Sequence, residues 1–157
     1  MFIVVSVFVP LVLYFGLPWL LQISGLSTGD KHRSLLLVAC LLFAGSWYLP
    51  SPLIDGQDTS FTTHFVGGGL FCGWLWLYLK RSLDWKHTWW IELFGLFALT
   101  SALGTINELF ELLLVESGIV NITLSDTPWD LLANTLGAGV FWLSYKTTDF
   151  VRSISTT

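Results

Sequence analysis

The sequence predicts an all-α integral membrane protein, a polytopic bundle of five transmembrane helices. Composition is the first reason. Of 157 residues, 54% are apolar types and only 11% are charged, and the mean hydropathy is +0.69. A soluble domain carries about 25% charged residues; with so few, a soluble fold would expose large apolar patches. The second reason is that the apolar residues fall into five stretches. A backbone in lipid must satisfy its polar groups within its own segment, so each stretch must be helical. The third is that every Lys and Arg, in two alternate connections and after the last stretch, falls on one side of a five-span topology. The chain reads as a single membrane domain over 1–157, with no internal repeat. Disorder, a collagen-like fibre and a disulfide scaffold are excluded by composition. Nucleic acid is excluded as a partner, because seven basic residues and a net charge of -4 give no basic surface.

The first span is predicted at about 2–23. It has no basic start and no small-residue cleavage site, so it reads as an uncleaved span rather than a signal peptide. Pro10 and Pro18 should kink it. The second, 34–49, is short but ends in Trp47 and Tyr48, and interfacial aromatics can extend it. The third covers about 60–79, the fourth about 88–115 and the fifth about 128–145. Cys40 and Cys72 fall mid-span and read as small packing residues.

Orientation follows from the basic residues. Lys31 and Arg33 follow span one, Lys80, Arg81 and Lys86 follow span three, and Lys146 and Arg152 follow span five. The positive-inside rule makes that side cytoplasmic, with the N-terminus outside and the C-terminus cytoplasmic. Trp74, Trp76, Tyr78, Trp85, Trp89, Trp90, Trp142 and Tyr145 should then gather at the cytoplasmic interface as an aromatic belt. Asp30, Asp84, Glu92 and Asp149 read as ordinary surface charges among the basic residues. The chain is expected to lie in a membrane and to cross it several times.

The remaining acids collect at the opposite edge. Glu108 and Glu111 stand i, i+3 inside an apolar run, on one helix face. A carboxylate within a span is costly unless paired, protonated or wet, and two on one face repel. Asp130 and Asn134 stand i, i+4 on span five. Thr127-Pro128-Trp129-Asp130 also reads as a helix start, with Thr127 as cap and Asp130 folding back, and Asn134 alone could join helices. His64 opens span three at the same depth. Gly69 and Gly73 behind it have the spacing of close helix packing. His64, Glu108, Glu111, Asp126, Asp130 and Asn134 are therefore expected to form one polar pocket opening outward.

These motifs resemble a known family. The run Asp126-Thr-Pro-Trp-Asp130-Leu-Leu-Ala-Asn134-Thr-Leu-Gly137 is similar to the last-helix motif of the VanZ-like membrane proteins. Glu108 and Glu111 resemble that family's Glu-x-x-Gln, and Asp58 with His64 resembles its Asp and His at the head of an earlier helix. The likeness covers roughly residues 55–140. Glu111 stands where the family more often has Gln. The Arg common before the final motif is replaced by Leu124-Ser125. The resemblance implies a bacterial cell-envelope setting, with a link to resistance against glycopeptide antibiotics such as teicoplanin.

The expected function is binding of a cation, or of a lipid or cell-wall precursor head group, in the outer pocket. Candidate metal ligands are His64, Glu108, Glu111 and Asp130, a set suited to Mg²⁺, Ca²⁺ or Mn²⁺, or to Zn²⁺ if His64 ligates. The alternative is a metal-dependent or acid/base membrane enzyme acting on a lipid-linked envelope substrate, with Glu108, Glu111 and Asp130 as candidate catalytic groups. No GxSxG, HExxH or Ser-x-x-Lys pattern occurs. A transporter is disfavoured, because five spans lack an inverted repeat and the acids sit at one end.

Overall fold

Helix is the rule along this chain. A computed structural model describes residues 2–26, 31–54, 57–119 and 127–155. The helix α1 spans Phe2–Ile23 and α2 spans Arg33–Ser46. A two-residue antiparallel ladder follows, β1 at Leu53–Ile54 against β2 at Gln57–Asp58, pairing Leu53 with Asp58. Three pieces then join end to end: α3 at Phe61–His64, a π-helical turn at Phe65–Leu70, and α4 at Phe71–Ser82. The long helices α5, Trp89–Glu116, and α6, Thr127–Ser155, complete the bundle. Two segments, Val5–Ile23 of α1 and all of α5, are long and apolar enough to cross a membrane.

Several boundaries move from their predicted places. The second helix stops at Ser46, and the Tyr48 and Leu49 amides close turns onto Gly45 and Ser46 instead. The fifth helix runs on to Ser155, ten residues past Tyr145, through a polar stretch suited to water. Helix α1 continues through both Pro10 and Pro18.

The π-helical turn was not anticipated. It coincides with Gly67, Gly68 and Gly69, where the backbone has the least preference for regular α-helix. Helix α6 crosses at this point. A Cβ on Gly69 would overlap the backbone of Asn134 and Gly137, and one on Gly137 would overlap the carbonyl of Phe65. Gly73, one turn on, lies under the Phe141 ring. The glycines let two backbones touch. The interior around them is apolar, with Leu36, Ala39, Cys72, Leu75 and Leu96 almost fully buried. The outside is apolar as well: Phe8 is 63% exposed and Phe94 69%. Cys40 and Cys72 are buried free thiols, and the Cys40 thiol reaches the Pro10 carbonyl at 3.4 Å.

Candidate functional site

Three helices carry a charged or ionisable residue near each end of an uncharged stretch, in one register. His64 and Lys80 bracket the first stretch, Glu92 and Glu108 the second, Asp130 and Lys146 the third. Each pair is 16 residues apart, and the 15 residues between hold no Asp, Glu, Lys, Arg or His. In an α-helix that interval spans about 24 Å. Helices α5 and α6 run in opposite directions, so Glu92 meets Lys146 at one end and Glu108 approaches Asp130 at the other.

At the His64 end, the ladder and the turn after it deliver Ser60 and His64 to the bundle. The Ser60 amide donates to Asp58 Oδ1 at 2.9 Å, so Asp58 holds the chain entering α3 while staying exposed. Ser60 itself adopts a left-handed backbone, φ 49°. That conformation is uncommon for a non-glycine residue and tends to accompany function. Its hydroxyl lies 2.7 Å from Asp130 Oδ1 and 2.7 Å from the Thr59 carbonyl. With one proton, it donates to one of these acceptors at a time. Asp130 is 2% exposed, and its Oδ1 also lies 3.5 Å from His64 Nε2.

Glu108 enters from α5. Its Oε2 accepts from the Thr127 hydroxyl at 2.8 Å, while its Oε1 is buried without a hydrogen-bond partner among the described residues. One ligand atom from each of His64, Glu108 and Asp130 lies within 4.8 Å of the others. Two donors on one ion stand at most two bond lengths apart, about 4.1 Å for Mg²⁺ and about 5 Å for Ca²⁺. The triangle is therefore near the size that a Ca²⁺-sized ion bridges, and its donors would draw in slightly around one. At an effective dielectric of about 20, two carboxylates this close repel by about 3 kcal/mol. A divalent cation would remove that repulsion.

The other expected pocket residues are placed differently. Glu111 is half-buried and accepts from Asn107 Nδ2 at 2.8 Å, one turn back on its own helix, outside the triangle. Asn134 is 3% exposed, one turn deeper than Asp130; its amide fills the space between Gly68 and Gly104. Asp126 lies outside the described residues. Thr127 and Asp130, expected to cap α6 locally, both reach across to other elements. Sequence reasoning missed Ser60 and Thr127, which are common helix-start residues with no distinguishing local pattern.

Glu92 corrects an expectation. It is not a surface charge: it is 3% exposed and paired with both Lys80 and Lys146. Both ammonium groups also sit over the Tyr145 ring, 5.5 and 5.3 Å from its centre. The signal was present, since the 16-residue interval recurs on all three helices. Around this end the expected aromatics do gather, with ring contacts between Trp76 and Trp85 and between Trp89 and Trp142. Tyr78 instead packs inside the bundle at 2% exposure.

Against this geometry, no family model, no curated protein and no solved structure matches the chain.

Proposed function

We propose that the chain is a VanZ-like bacterial inner-membrane protein that crosses the bilayer five times. In this reading the N-terminus is outside and the C-terminus cytoplasmic. Its His64–Glu108–Asp130 cluster binds a divalent cation and, through it, an envelope head group at the outer leaflet. The membrane part is supported by the three uncharged intervals in one register, whose length of about 24 Å approaches the ~30 Å hydrocarbon core. The orientation rests on the lysines at the Glu92 end. The VanZ-like part is supported by the burial of Asp130, Asn134 and Gly137 on one face of α6.

The observation that carries the cation reading is the convergence of two acids and an imidazole, with Glu108 Oε1 buried and without a hydrogen-bond partner among the described residues. Hard oxygen donors of this kind suit Mg²⁺, Ca²⁺ or Mn²⁺. The test is titration of the purified protein with Mn²⁺, followed by electron paramagnetic resonance. One bound ion is expected, with affinity reduced at least about hundredfold, some 2.7 kcal/mol, in Glu108→Gln and in Asp130→Asn. Wild-type affinity in both variants would refute it.

An enzymatic reading has one observation in its favour, the His64 imidazole beside a carboxylate that also takes the Ser60 hydroxyl. Release of inorganic phosphate from a lipid-linked pyrophosphate by the Mn²⁺-loaded wild type would select it over simple binding.

A further inference from the structure

The facing surfaces of α5 and α6 part below the acidic cluster. Two adjoining hollows lie there, of about 110 and 140 Å³, and share Phe97, Thr100 and Thr135. An engineered apolar cavity of about 150 Å³ holds a benzene-sized group, so each hollow has room for a short piece of hydrocarbon. Together they make one cleft. Its lower end is apolar, at Leu93, Leu96 and Gly139; its upper end adds Ser101, Thr105, Leu131 and Asn134.

Position ties the cleft to the cluster. Thr105 is one turn before Glu108 on α5, and Asn134 one turn after Asp130 on α6. Asn134 borders the upper hollow, with its Nδ2 toward Gly104 of α5. Leu93 and Phe97 of its lining are exposed and lie within the uncharged stretch of α5, so in the membrane reading the cleft borders the surface where lipid would lie.

We propose that this cleft seats the hydrocarbon chain of a membrane phospholipid whose phosphate is held by the cation at His64, Glu108 and Asp130. This rests on the cation reading above and adds the ligand's class and route: it is lipid-anchored and arrives laterally. Coordination supports the assignment. Three protein ligands leave positions open on a divalent ion, which Mg²⁺-type sites fill with ligand phosphate oxygens. Asn134, at the boundary between chain and head group, can donate to an ester or phosphate oxygen.

Native mass spectrometry of the detergent-solubilised full chain, titrated with dioleoylphosphatidylglycerol, tests this. Mn²⁺ should tighten lipid binding at least about tenfold over chelator, and soluble glycerol phosphate should bind at least about hundredfold more weakly than the lipid. Thr135→Trp, which fills the cleft from an exposed position, should cost about tenfold in lipid affinity and leave Mn²⁺ affinity at the wild-type value. Ser101→Phe carries the same expectation if Thr135→Trp does not fold. Glycerol phosphate bound as tightly as lipid, or a filled cleft with wild-type lipid affinity, would overturn the proposal while the cation reading stands. Failure of the wild type to bind Mn²⁺ would remove the cation reading, and this proposal with it.

Discussion

The two ends of the α5–α6 pair are built from similar parts with opposite results. At one end a single buried carboxylate, Glu92, takes two ammonium groups, Lys80 and Lys146, over a tyrosine ring. At the other, two carboxylates, Glu108 and Asp130, stand beside the His64 imidazole and take the Thr127 and Ser60 hydroxyls. The first cluster satisfies its own carboxylate and ties α4, α5 and α6 together. The second leaves Glu108 Oε1 buried with no donor among the described residues. Charge closed on itself suits stability; charge left in excess suits a ligand.

Removing the carboxylate at each end should separate these roles most clearly. Glu92→Gln leaves two largely buried ammonium groups facing each other, a loss of about 3 kcal/mol or more. Glu108→Gln removes one of two repelling acids, so the cation-free protein should be as stable as wild type or slightly more so. Thermal unfolding in detergent with chelator measures both. Equal destabilisation by the two changes would erase the distinction between a closed and an open cluster.

The helix crossing between the clusters offers a second, smaller effect. A methyl at Gly69 meets the backbone of α6, which cannot rotate away; one at Gly68 meets the Asn134 amide, which can be removed. Gly69→Ala should cost about 2 kcal/mol of stability and should not be relieved by changing Asn134. Gly68→Ala should cost a similar amount alone and couple favourably to Asn134→Ala by about 1 kcal/mol or more. A double-mutant cycle on unfolding midpoints reads both, and additive losses at Gly68 would show that Asn134 does not set the crossing.

Much of this was legible in the residues, and the illegible part has a physical cause. Long apolar runs declare helices because lipid offers the backbone no partner. The helical stretches at 2–23, 34–49, 60–79 and 88–115 were therefore readable to within a few residues. His64, Glu108 and Asp130 were readable as costly acids and an imidazole at one depth. What pattern cannot give is azimuth. Glu111 shares a face with Glu108 by spacing, yet it turns back to Asn107, because a long side chain selects among neighbours that only the packed bundle defines. Glu92 was misjudged for the same reason. Its burial depends on Lys80 and Lys146 coming from two other helices, and nearness to other charges in sequence suggested solvent instead. The π-helical turn was hidden because three glycines permit it and only the approach of α6 selects it.

The smallest expected effect bears on how the open cluster is held ready. Thr127 donates to Glu108 Oε2, and Oε1 has no partner among the described residues, so within these the carboxylate is oriented from one side. Groups that orient a metal ligand without touching the metal typically alter affinity by 10–100-fold. Thr127→Val keeps the shape and removes the donor, and should weaken Mn²⁺ binding by about tenfold, at the lower end of that range because one of several ligands is affected. Thr127→Ser keeps the hydroxyl and should retain wild-type affinity. At the closed end, where Glu92 is held by two cations, no single hydroxyl has comparable leverage. Thr127→Val binding Mn²⁺ as tightly as Thr127→Ser would mean that the Glu108 carboxylate is positioned by the bundle alone, and the two ends would then differ in charge but not in how their acids are held.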